Sequence, residues 1–146
     1  MRRCGPWLRA SVDTAVIAID TNIVVRLLVN DDAAQGRRAR SLLAAGQEVF
    51  VAPTVLLESE WVLRAAYGFG PDKIAGFLRA LLGLPGLRTA NPDQVAHALT
   101  GYEQGMDFAD ALHLASSHQT DRFYTFDAAF RRKAGSEMPG VTVSAP

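Results

Sequence analysis

Between residues 15 and 143, short apolar runs alternate with longer amphipathic stretches, which restricts the chain to the α/β class. The first run, Val16-Ile17-Ala18-Ile19, is apolar without alternation, the pattern of a strand covered on both faces. Strands are expected at about 15–20, 48–52, 87–90, 123–126 and 141–143. Helices are expected through 23–28, 34–45, 53–67, 71–82, 92–102, 107–118 and 128–133. Pro53 and Asn91-Pro92 open helices, since proline at the first position loses no hydrogen bond; Gly46 and Gly68 close them. The expected architecture is a three-layer α/β/α fold with a mostly parallel central sheet.

With 146 residues and 49 % hydrophobic content, the chain has enough for one domain with one core. Residues 15–146 are expected to form that domain, with 1–14 an N-terminal extension and a natural start near Val16. Cys4 is the only cysteine, so no internal disulfide forms and a reducing, cytoplasmic setting is expected. No apolar run reaches the roughly 18 residues that span a bilayer. Lys plus Arg equals Asp plus Glu at 15 each, so no overall basic field marks a nucleic-acid partner. The arginines do cluster, at Arg37, Arg38 and Arg40 and at Arg131 and Arg132. Solvated helix faces explain such clusters; phosphate contacts would as well.

The chemistry is expected at the carboxyl ends of the strands, where open parallel sheets bind ligands. Asp20 ends the first strand and Asp127 ends the Phe123–Phe126 strand. Glu58 lies in the helix leaving the second strand. Asp110 lies in the first turn of a helix that runs back toward the amino edge, with Asp107 three residues earlier. Chain direction thus gathers Asp20, Glu58, Asp110 and Asp127. Singly, each has an ordinary explanation: Asp20, Asp107 and Asp127 as helix N-caps, Asp110 in a favourable helix dipole, Glu58 paired with Arg64. Together they are costly, because two carboxylates about 4 Å apart repel by roughly 4 kcal/mol at an effective dielectric near 20. Such a cluster raises its pKa values or recruits a cation, and oxygen donors without cysteine favour Mg²⁺ or Mn²⁺. A carboxylate-held ion of this kind commonly serves phosphate chemistry.

Asp20-Thr21-Asn22, Glu58-x-x-Trp61-Val62-Leu63, Asp107-Phe108-Ala109-Asp110-Ala111-Leu112 and Thr125-Phe126-Asp127 occur in that order. Over about residues 15–143 this resembles a PIN domain, and more narrowly the VapC ribonuclease toxins of toxin–antitoxin pairs. The resemblance implies that Asp20, Glu58, Asp110 and Asp127 are the catalytic, metal-holding quartet, with Asp107 a further ligand or simply a cap. It implies Mg²⁺- or Mn²⁺-dependent cleavage of RNA, with tRNA or rRNA loops as plausible targets, a VapB-like antitoxin, and a toxin homodimer. Thr21, Asn22 and Thr125 match supporting positions that hydrogen-bond carboxylates or local backbone.

Arg26, Arg37, Arg38, Arg64 and Arg131 are candidates for RNA contact. Trp61, Val62 and Leu63 are expected in the core, Glu60 at the surface or against a partner, and His113 packed in a helix face. The helices near Phe69, Phe77 and Leu81 offer apolar surface for an antitoxin or a dimer. Two alternatives stay open. One is a non-catalytic PIN-like module that binds RNA or a partner. The other is a haloacid-dehalogenase-type phosphatase, weakened by Asp20-Thr21-Asn22 where that chemistry has Asp-x-Asp.

Overall fold

The computed structural model describes residues 15–134 and 141–146. The proposed extension at 1–14, with Cys4, lies outside the described residues. The element order is β1 (Val16–Ala18), α1 (Thr21–Leu28), α2 (Ala33–Ala44), β2 (Glu48–Phe50), α3 (Pro53–Ala65) and α4 (Pro71–Leu82). There follow β3 (Leu87–Arg88), α5 (Pro92–Glu103), α6 (Phe108–Ser116), β4 (Arg122–Tyr124), α7 (Ala128–Ala134) and β5 (Thr142–Ser144). This is the expected α/β alternation.

Every strand pair is parallel. In the first sheet the order is β1-β2-β3, with Ile17 opposite Val49 and Val49 opposite Leu87. The second holds β4 and β5, with Phe123 opposite Val143. The parallel pairing expected of the central sheet is present, and among the described residues it falls into these two groups. As a result β1 is an edge strand, and its first residue is not covered on both faces: Val16 is 46 % exposed. The burial expected of β1 begins instead at Ile19, just past the strand.

The core explains how the helices are held. On α3 the buried stripe is Leu56, Ser59, Glu60 and Leu63, the i, i+3, i+4, i+7 spacing of one helix face. Ser59 is accommodated because its hydroxyl donates to the Val55 carbonyl at 2.7 Å. On α4, Ile74, Ala75, Leu78 and Leu81 form the equivalent stripe. Helices α5 and α6 approach closely at Gly101. A Cβ there would sit 3.3 Å from Met106 Sδ and 3.4 Å from Ala111 Cβ, so even alanine would need the Met106 side chain to shift by a few tenths of an ångström. The Tyr102 and Phe108 rings, 5.3 Å apart, continue that contact and fix where α6 begins.

The apolar surface expected near Phe69, Phe77 and Leu81 is largely used internally. Leu81 is buried, and Phe69 packs between Tyr67 and Phe77 with the Lys73 ammonium 4.0 Å above its ring. Among the described residues, the large apolar side chains left exposed are Val16, Trp61, Leu84, Tyr124 and Phe126. Among the described residues no helix is long and apolar enough to cross a membrane.

Candidate active site

Three of the candidate acidic side chains begin helices. Asp20 Oδ1 accepts the Ile23 N–H at 3.1 Å and caps α1. Asp107 Oδ2 accepts the Asp110 N–H at 3.2 Å and caps α6. Asp127 Oδ1 accepts the Phe130 N–H at 3.0 Å at the start of α7. Aspartate is preferred at such positions because its side chain satisfies an amide left without a helical partner. Each cap engages one oxygen, and an ionised carboxylate has about four acceptor positions. The caps therefore orient these groups without using up their capacity. Thr125 supports the third: its hydroxyl accepts the Asp127 N–H at 3.0 Å, the local backbone bond expected of it. Thr21 is buried at the start of α1 and Asn22 is exposed beside Asp20.

Asp110 is where the charges meet. Its carboxyl is pushed above the ordinary carboxylate range, first by burial and then by the negative charges of Asp107 and Asp127. His113, exposed rather than packed in the helix face, acts weakly in the opposite sense. Asp107, Asp110 and Asp127 thus share one electrostatic neighbourhood. Glu58, exposed on α3, lines a groove of about 470 Å³ together with Asp107. Asp20 lines a different and larger groove, of about 1580 Å³, with Asn22, Arg37 and Arg38 along its wall. Among the described residues, no three Asp, Glu, His or Cys side chains converge closely enough to hold a metal ion. The surplus negative charge around Asp110 and the all-oxygen donor set nevertheless suit a hard divalent cation.

The basic candidates divide by environment. Arg37 and Arg38 are exposed on α2. Arg26 is engaged at the surface, donating to Asp31 at 3.0 Å, Gln35 at 2.7 Å and the Tyr67 hydroxyl at 3.3 Å. Arg131 donates to the Thr125 carbonyl at 2.9 Å and so braces the turn that carries Asp127. Arg64 pairs through Nε with Glu60 Oε1 at 2.8 Å, not with Glu58.

Two expectations on α3 are overturned. Glu60 is not a surface charge: it is 3 % exposed and takes a second hydrogen bond, at 3.1 Å, from the Tyr102 hydroxyl. Trp61 is not in the core: it is 58 % exposed. Both follow from the stripe of buried residues, which includes position 60 and passes by position 61. The i, i+4 spacing of Glu60 and Arg64 was the available sequence signal for this pair.

The family model for the PIN domain matches residues 17–136. The chain therefore belongs to the PIN domain family, and the haloacid-dehalogenase alternative falls with that membership. Among solved structures it is similar to the VapC20 toxin of Mycobacterium tuberculosis, described as cleaving the sarcin-ricin loop. The identity is 22 %, over 84 % of this chain and 96 % of that one, with a TM-score of 0.41. It is also similar to VapBC2 of Rickettsia felis, bound to a promoter DNA fragment. Here the identity is 16 %, over 88 % of this chain and 97 % of that one, with a TM-score of 0.38. Comparison with curated proteins gave no significant match.

Proposed function

We propose that this PIN domain is a metal-dependent endoribonuclease of the VapC toxin type. The observation that carries the reading is the shared negative field of Asp107, Asp110 and Asp127, with Glu58 in the adjoining groove. Asp20, Glu58, Asp110 and Asp127 would hold Mg²⁺ or Mn²⁺, with Asp107 as cap and outer ligand. A bound ion of this kind polarises a phosphoryl oxygen and offsets charge in an in-line displacement. The chain's own residues do the rest. One quartet carboxylate accepts a proton from the attacking water. Thr125 and Arg131 fix the turn that presents Asp127. Arg37 and Arg38 track the RNA backbone along the groove beside Asp20. Water attacks phosphorus and the 3′-oxygen leaves with a proton, giving 5′-phosphate and 3′-hydroxyl ends.

On this reading the protein pairs with a VapB-like antitoxin and forms a homodimer in the cytoplasm, a reading that the order of its motifs supports. Looped tRNA or rRNA is the proposed substrate, since unpaired bases in loops are open to recognition. The test is cleavage of total tRNA and rRNA by purified protein with Mg²⁺, with Mn²⁺ and with EDTA, beside Asp20→Asn. Discrete, metal-dependent cuts with 5′-phosphate ends, absent in Asp20→Asn, are expected. Products ending in 2′,3′-cyclic phosphate would overturn the mechanism.

The second reading, a binding module without turnover, is favoured by one observation: the acidic side chains do not close into a metal-holding group among the described residues. Saturable RNA binding without cutting in either metal would establish it.

A further inference from the structure

The groove that joins Glu58 to Asp107 contains two side chains for which the metal chemistry has no use. Trp61 is 58 % exposed, on a helix whose other large apolar residues are covered or half-covered. Exposing an indole this far forgoes the gain of burying it. Arg64 stands one turn further along α3, with its side chain 47 % exposed. Among the described residues its guanidinium makes one hydrogen bond, through Nε to Glu60, and also feels the charge of Asp107. Glu60 is itself fixed by Tyr102, so the guanidinium is held from behind. An arginine anchored in this way keeps its planar fork in one orientation and loses little freedom on binding.

The charge of the groove narrows what fits. Glu60 and Arg64 compensate each other, which leaves Glu58 and Asp107 as net negative charge on the wall. Without metal that charge disfavours an anion in the groove, while the exposed indole and the guanidinium beside it suit a neutral, flat, acceptor-bearing group. At about 470 Å³ the space lies within the roughly 300–1,000 Å³ usual for small-ligand sites and admits one nucleoside.

We infer that this groove is a nucleobase subsite: an unpaired base of the RNA stacks on Trp61, and Arg64 donates to the acceptor edge of that base. The inference deepens the ribonuclease reading and rests on it for the identity of the ligand. It makes the site selective for single-stranded or looped RNA at a position next to the carboxylates, since a paired base cannot present its face to the indole.

The test is a fluorescence titration in EDTA. The sequence has two tryptophans, so the full chain carrying Trp7→Phe reports on Trp61 alone. The probes are a mixed-sequence 12-nucleotide single-stranded RNA and the same RNA in a duplex. Saturable quenching by the single strand, with little from the duplex, is expected. Trp61→Ala, at an exposed position that the fold does not use, weakens single-strand affinity about ten- to a hundredfold by anisotropy, and Trp61→Phe restores most of it. Arg64→Lys keeps a cation beside Glu60 but loses the fork, and weakens the same binding about tenfold. Equal affinity in Trp61→Ala and wild type, or equal quenching by duplex, overturns the inference. Cleavage separates the two claims. RNA cutting with an indifferent Trp61 keeps the nuclease and removes the subsite; quenching that saturates without cutting in any metal keeps the subsite and removes the nuclease.

Discussion

Tyr102 on α5 donates its hydroxyl to Glu60 on α3 across 3.1 Å, and both side chains are at most 4 % exposed. Burial and the neighbouring carboxylate hold the phenol well above its ordinary pKa, so it stays protonated and remains a donor. Tyr102→Phe removes one of two partners from a buried carboxylate, at a cost of about 1–3 kcal/mol. Urea unfolding will show a lower midpoint with an unchanged slope. An unchanged midpoint would mean that the bond contributes nothing net.

Asp110 gives a pH dependence of opposite sign to the usual carboxylate. Its folded-state pKa lies above the unfolded value, so the folded state binds the extra proton. Its contribution therefore improves as the pH falls through the folded value, and the penalty is complete at neutral pH. Metal-free Asp110→Asn should melt higher than wild type at pH 7.5, and the difference should shrink as the pH falls through the raised folded value and vanish below the ordinary carboxylate range. A lower melting temperature for the variant at pH 7.5 would contradict this.

The same local charge predicts a response to metal. Mg²⁺ or Mn²⁺ should raise the melting temperature of wild type by mass action, with a shift that grows with concentration. Asp110→Asn and Asp127→Asn should each lose most of that shift. An equal shift in both variants would place the ion elsewhere.

Asp20, Asp107 and Asp127 each allow capping to be separated from charge. Replacement by alanine should cost about 1 kcal/mol of stability at each position. Replacement by asparagine, an equally good cap, should cost far less. Under the nuclease reading, both versions of Asp20 and Asp127 lose at least about a hundredfold in cleavage. Thermal melts beside cleavage assays check this directly.

The network around Arg26 has a structural prediction of its own. Tyr67 donates to Asp31 at 2.6 Å while Arg26 holds Asp31 and Gln35, which joins α1, α2 and the end of α3. Tyr67→Phe should lower the unfolding midpoint and loosen α2, read as faster amide exchange through Arg37 and Arg38. Exchange confined to wild-type rates would show that α2 is held by its apolar contacts alone.

Much of this arrangement is legible in the sequence because it rests on short-range rules. The helix starts at Asp20, Asp107 and Asp127 and the prolines at 53, 71 and 92 are local signals, and the structure has helices at each. The parallel direction of the strands follows from alternation alone. Tertiary packing decides the rest. Trp61 is the largest apolar residue of α3 and composition sends it inward, but the helix turns its buried face through Leu56, Ser59, Glu60 and Leu63. Glu60 is buried only because Tyr102, 42 positions later, and Arg64 both meet it. Arg26 reads as a free cation until Tyr67 is brought beside it by the fold. The division into two sheets depends on which strand edges meet, which no local pattern specifies.

The helix-starting aspartates of the candidate site, Asp20, Asp107 and Asp127, have an evolutionary consequence. Asparagine serves a helix start as well as aspartate does, and a single-base change interconverts their codons. A descendant of this chain could thus discard its reactive charges one by one and still fold, melt and pack like its ancestor. Selection for a stable fold would not notice the loss. The intact carboxylates at Asp20, Asp107 and Asp127 are therefore a feature that folding alone does not require.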